Sequence, residues 1–155
     1  MIEVELDRLI KRSKNYLDSV TPDLDPQIAT LLHRYICILL SANIDKSILI
    51  LLSEFGRTHG SAEIARFIAK KYQRGTNYNT ERVIQTLNLF DPSWGDKFSR
   101  AVDSTQVKEQ LDSLYGLRNS ISHGEQVTVS RPSLDGYFTT HTKVIALIKE
   151  IVLGV

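Results

Sequence analysis

The chain has almost nothing with which to crosslink itself, a single cysteine, Cys37, in 155 residues. One cysteine makes neither an internal disulfide nor a Cys-rich zinc site, so nothing requires an oxidising compartment and a cytoplasmic location is expected. Charge of one sign is also missing. Lys and Arg total 19 against 18 Asp and Glu, a formal charge of +1, without the basicity of a typical nucleic-acid binder; a polyanion would have to meet a local patch. The eight glycines fit neither GxGxxG nor GxxxxGK, so no phosphate-cradling loop and no nucleotide cofactor are expected. The opening Met-Ile-Glu-Val-Glu-Leu-Asp is acidic where a signal peptide is basic and then apolar, so secretion is not expected. Long apolar runs are absent too. The stretch Tyr35 to Ile44 is closed by Arg34 on one side and Asp45-Lys46 on the other; it is about half of the roughly 20 residues a membrane span needs. It reads as part of a buried core helix, with no membrane partner.

What the chain does have is helical periodicity. Ile2, Leu6, Leu9, Ile10 and Leu17 recur at helical spacing, with Arg8, Lys11, Arg12 and Lys14 on the other positions, which predicts an amphipathic first helix ending before Thr21-Pro22. Asp25 followed by Pro26 is an N-cap and first-turn proline for a long helix running to about Phe55, with Gly56 as its stop. Apolar residues from Ile28, Leu31 and Tyr35 to Leu52 and Phe55 cover most of its circumference, so it is expected at the centre. Ser61 is expected to cap a third helix with Ile64, Phe67 and Ile68 inward, and Gly75 to Asn79 reads as a loop. Thr80 is expected to cap a short helix, and Asp91-Pro92 restarts another around Trp94 and Phe98. Asp103 with Gln106 resembles a capping box for a helix from Val107 to Ile121, broken by Gly124. Ser133 is expected to cap the last helix, and Val127 to Val129 is too short for a strand. There is no repeat, linker or low-complexity tract, so residues 1–155 read as one all-α domain. The expected architecture is an up-and-down helical bundle with a long central helix and extra short helices.

Common catalytic patterns are missing. No Glu has His three positions later, HExxH does not occur, and His33, His59, His123 and His141 are far apart, so no metal site is expected. Nothing resembles the G-x-S-x-G elbow.

One segment stands out, Leu114-Tyr115-Gly116-Leu117-Arg118-Asn119-Ser120-Ile121-Ser122-His123-Gly124. On an ideal helix Arg118 and His123 lie about 140° and roughly 7.5 Å apart, and the long arginine side chain lets them converge on one phosphate with Asn119 between them. Those residue types suit RNA cleavage. The ribose 2′-hydroxyl is the nucleophile, so an enzyme need only move protons, which histidine does near neutrality, and stabilise phosphorane charge, which a guanidinium does. Metal is unnecessary. The spacing alone is weak, since an Arg-x4-His pair arises by chance in about one chain in four of this composition. Arg118 could equally be a solvated helix-end cation and His123 a residue bonding the last helical carbonyls.

The run from Arg118 to Gly124, late in a helical chain, resembles the signature of the HEPN superfamily. "SANIDKSILILLSEF", "LYGLRNSISHG" and "VTVSRPSL" are particularly similar to the RiboL-PSP type of HEPN domain. The resemblance implies a helical bundle that dimerises so that two motifs line one cleft. It also implies either a metal-independent endoribonuclease of toxin, defence or RNA-processing type, or a non-catalytic module that binds a protein or nucleotide. Carried over by residue, Arg118 would hold phosphate, Asn119 would support the site, and His123 would be the general acid or base. RNA, a second copy of the chain and an antitoxin or regulatory protein are the partners implied. The subgroup paired with a nucleotidyltransferase antitoxin has Tyr where this chain has Glu125, which sets it apart from that modification chemistry. Asp45, the acid inside the central helix, could orient Arg118, or could simply be satisfied by a buried hydrogen bond. Lys70, Lys71 and Arg74 form one candidate RNA-facing cluster, with Tyr72 and Tyr78 nearby, and Arg8, Lys11, Arg12 and Lys14 form another; either could be merely a solvated face.

Overall fold

The computed structural model describes residues 1–155 as seven helices without strands. They are α1 (Ile2–Asp18), α2 (Pro26–His59), α3 (Ala62–Lys71), α4 (Thr80–Asn88), α5 (Pro92–Asp103), α6 (Val107–Ser122) and α7 (Arg131–Leu153). The 34-residue α2 is the axis against which α1, α3, α6 and α7 pack. Its start is the one expected, with the Asp25 side chain accepting from Gln27 and Ile28 N–H behind Pro26. Ile36, Leu40, Ile44, Leu51 and Leu52 have no exposed surface. By length and composition alone α2 could cross a membrane, but 61% of its most apolar window is buried inside the bundle, the setting of a core helix.

Several boundaries differ from the sequence reading. Gly56 does not stop α2; the helix runs on to His59 with Gly60 as its C-cap. Gly56 is buried, and a Cβ there would meet the Ile68 side chain, with the Ala65 backbone at 3.5 Å, so its role is to let α3 approach closely. Through Ala65 and Ile68, α3 rests on that spot, which turns Ile64 and Phe67 outward rather than inward. Thr80 is the first residue of α4, capped by Asn79, whose side chain accepts from Arg82 N–H. Asp103 is the last residue of α5 rather than a capping-box residue, and α6 starts after Gln106 without a side-chain cap. For α7 the cap is Ser130, accepting from Ser133 N–H, because Pro132 already sits in the first turn.

The stripe of α2 formed by Ile28, Leu31, Tyr35 and Ile38 is exposed, Leu31 by 63%. The sequence reading placed these residues in the core. The chain supplies helices for most of the α2 surface but leaves this stripe open apart from Tyr35, whose ring meets that of Tyr16 on α1 at 5.3 Å.

Candidate functional site

Leu111, Leu114 and Tyr115 fix α6 on the core and have no exposed surface. They fall at helical spacing, so Arg118, one turn further on, emerges half-buried at the border between core and solvent. Its Nη1 donates to the Thr76 carbonyl at 3.4 Å, and its guanidinium carbon lies 5.8 Å from the Tyr115 ring centroid, within cation–π range.

Asp45 comes to the same place from α2. The Tyr115 hydroxyl donates to Asp45 Oδ1 at 2.7 Å, with the Ser41 carbonyl at 3.2 Å as a second acceptor. The loop between α3 and α4 covers the carboxylate, and any Cβ on Gly75 would overlap Asp45 Oδ2. Burial pushes the Asp45 pKa up to about 6, against the lowering by the Tyr115 bond and by the Arg118 charge. The phenols respond in kind. Burial first, then the Asp45 charge, raises Tyr78 to about 12, and the same causes push Tyr115 well above the usual tyrosine range. Asp45 therefore reaches Arg118 electrostatically, past Tyr115, and not through a direct ion pair.

His123 sits at the end of α6 as its C-cap. Gly124 N–H donates to the Ile121 carbonyl and Glu125 N–H to the Ser120 carbonyl, each at 3.0 Å, which is a Schellman closure with Gly124 at φ +77°. Only glycine takes that conformation without strain, so the glycine after the histidine fixes where the histidine stands. The imidazole is exposed, while Asn119, one turn earlier, is half-buried and its carbonyl accepts the His123 N–H at 3.0 Å. Within one chain, Asn119 and His123 share a helical face and Arg118 lies on another.

The chain then runs alongside α2. Arg34 Nε donates to the Val127 carbonyl at 2.8 Å, and His33 Nδ1 bonds the Val129 carbonyl at 2.6 Å, which requires the proton on Nδ1. The motif and the residues after it are thus pinned to α2 at Asp45 and at Arg34, about 16 Å apart on a straight helix. The exposed stripe of Ile28, Leu31, Tyr35 and Ile38 lies beside this track, on the neighbouring face of α2.

The other candidates separate. Lys71 and Arg74 line a hollow of about 380 Å³ together with Tyr72, Thr76, Tyr78 and Arg82, whereas Lys70 does not. Tyr78 is buried, and Tyr72 is half-buried against Phe90, so both rings mainly pack. The α1 cations lie on a helix that packs on α2 and α7 but not on α6, and Lys14 pairs with Asp18 at 2.7 Å. Sequence reasoning missed Tyr115, Thr76 and Arg82. Tyr115 stood three residues before Arg118, the spacing that stacks neighbours on a helix; the other two had no local signal.

The fold and the placing of the polar motif define a small all-α domain in which a long core helix and a motif-bearing helix meet at a buried carboxylate. The chain belongs to the RiboL-PSP-HEPN family, whose model matches residues 5–154. No curated protein and no solved structure matches it.

Proposed function

We propose that this protein is a metal-independent endoribonuclease that works as a homodimer, with Arg118 and His123 as its catalytic residues and Asn119 supporting them. The observation that carries this reading is the placing of the motif, a half-buried arginine and an exposed histidine beside an uncovered apolar stripe. In water that stripe is unfavourable by about 25 cal/mol per Å² of apolar surface. Its spacing of three and four residues is that of a helix seam, which suits the same stripe on a second copy.

His123 of one chain takes the proton from the ribose 2′-hydroxyl. The freed O2′ forms a bond to phosphorus, and the bond from phosphorus to the 5′ oxygen breaks. His123 of the second copy protonates that leaving oxygen, giving a 2′,3′-cyclic phosphate and a 5′-hydroxyl. One histidine cannot be base and acid in the same step, and dimerisation supplies the second. Arg118 binds the phosphate oxygens as charge accumulates on them. Tyr115 and Asp45 are positioning residues for Arg118.

The test is cleavage of end-labelled single-stranded RNA and tRNA in EDTA, with the new ends identified. The expected result is a cyclic phosphate, no cleavage of DNA, and a rate loss of about 10²–10³ in Arg118→Ala. Activity that requires added metal would overturn the proposal. A binding module with an inert motif is the second reading, favoured by the same apolar stripe; RNA left intact by a dimeric wild type would select it.

A further inference from the structure

The α3–α4 loop that covers Asp45 has a second side, the hollow of about 380 Å³. Lys71, Arg74 and Arg82 line it, no carboxylate does, and none of the three is engaged in an ion pair. In a chain of net charge +1, three free cations around one concavity are a local concentration of positive charge. Apolar surface sits among the cations: Leu89, 70% exposed, lines the same hollow, and Lys71 Nζ lies 5.5 Å from the centroid of the Tyr72 ring. Gln85 adds an amide that keeps its carbonyl and a second N–H for a ligand beside the N–H it gives to Glu81. Glu81 lines the adjoining shallower hollow of about 290 Å³, where it accepts from Gln85 Nε2 at 3.3 Å.

Cations, apolar surface and an amide around one hollow are the groups that recognise a nucleotide's phosphate, base face and base edge respectively. The volume lies within the usual range for small-ligand sites of about 300–1,000 Å³. The hollow is also tied to the motif, because Thr76 lines it and gives its carbonyl to Arg118. We infer that this hollow is an RNA subsite, holding the nucleotide that neighbours the scissile phosphate at Arg118, on a single strand. A base must leave its stack to enter the hollow, so duplex RNA is excluded there. The inference rests on the cleavage reading for its register, and its ligand can be tested without cleavage.

The experiment measures fluorescence anisotropy of a labelled single-stranded RNA dodecamer with His123→Ala full-length protein, titrated between 50 and 200 mM salt. Adding Arg74→Gln and Arg82→Gln, both at exposed positions, is expected to weaken binding about tenfold or more. It is also expected to lower the slope of log K against log salt by about 1.4, at about 0.7 per lost phosphate contact on a single strand. Lys97→Gln with Arg100→Gln removes the same charge from α5 and is expected to change binding less than about twofold. Unfolding temperature checks that each variant is folded. Equal weakening by the two pairs, no effect of the Arg74/Arg82 pair, or no RNA binding at low salt would overturn the subsite. So would a 5′-mononucleotide that binds as tightly as the dodecamer, because the hollow would then serve a free nucleotide, or duplex RNA that binds as well as single-stranded. If wild type cleaves no RNA and the Arg74/Arg82 effect on binding persists, the cleavage reading fails and the subsite stands. If wild type cleaves RNA and the Arg74/Arg82 pair leaves KM and the salt slope unchanged, the subsite fails and the cleavage reading stands.

Discussion

The Tyr115 hydroxyl donates to Asp45 Oδ1 at 2.7 Å, and through that bond the helix carrying the motif is fastened to the central helix one turn before Arg118. A carboxylate there is costly. Burial raises its pKa to about 6, from an ordinary 3.8, even with the phenol and the Arg118 charge working the other way. Such a group persists where it serves something other than stability.

The first prediction follows from that cost. Because the Asp45 pKa is raised, the proton it keeps stabilises the fold most below about pH 4, and this contribution is lost as pH rises through about 6. Asp45→Asn removes the ionisation and keeps an acceptor for Tyr115, so it is expected to stabilise the protein by about 1–3 kcal/mol at pH 7.5. The gain should shrink towards zero near pH 4, as read by urea unfolding across that range. Cleavage is expected to fall by about tenfold at the same time, through a less fixed Arg118. A variant destabilised equally at every pH would refute this account of Asp45.

His141 gives the second, with the opposite sign. It has no exposed surface, its Nδ1 bonds the Phe138 carbonyl at 2.8 Å, and its Nε2 is buried without a partner. Burial lowers its pKa to about 4 from 6.5, so its contribution is complete above about pH 6.5 and is lost as pH falls through about 4. Asp45 runs the other way over nearly the same window, so the readout is the difference between wild type and His141→Leu. That difference is expected to favour the variant increasingly below pH 6, by up to about 3 kcal/mol. Parallel pH profiles would show that folding leaves the His141 pKa unshifted and would refute this prediction.

The third concerns the uncovered stripe. Leu31→Glu with Ile38→Glu alters exposed side chains, so the fold is expected to survive, with unchanged circular dichroism. Two carboxylates on each copy should repel and desolvate poorly at a seam, converting a dimer to monomer in sedimentation and removing cleavage. A double variant that stays dimeric would place the interface elsewhere.

Much of the fold was legible in the sequence, and the failures share a cause. Asp25-Pro26, Asp91-Pro92 and Gly124 act through neighbouring backbone, so the elements they bound could be read locally. Gly56 also looks local but is set by α3 pressing on it, and Ser133 was displaced as a cap by Ser130 only because Pro132 lies in the first turn. At the site, Arg118, Asn119 and His123 were visible as a run on one helix. The roof over Asp45 was not, because Gly75 reaches Asp45, and Thr76 reaches Arg118, through a loop whose path depends on how α3 and α4 settle. The exposed side of α2 was invisible for a related reason: apolar periodicity marks a face to be buried without saying whether this chain or another buries it.

The central claim is that His123 moves a proton during RNA cleavage, and one comparison tests it most directly. Wild type and His123→Ala, an exposed position whose loss should leave the unfolding temperature unchanged, are incubated with the same single-stranded RNA in EDTA. The account predicts 2′,3′-cyclic phosphate ends from wild type and a rate lower by about 10²–10⁴ in the variant; equal cleavage by the two proteins would contradict it.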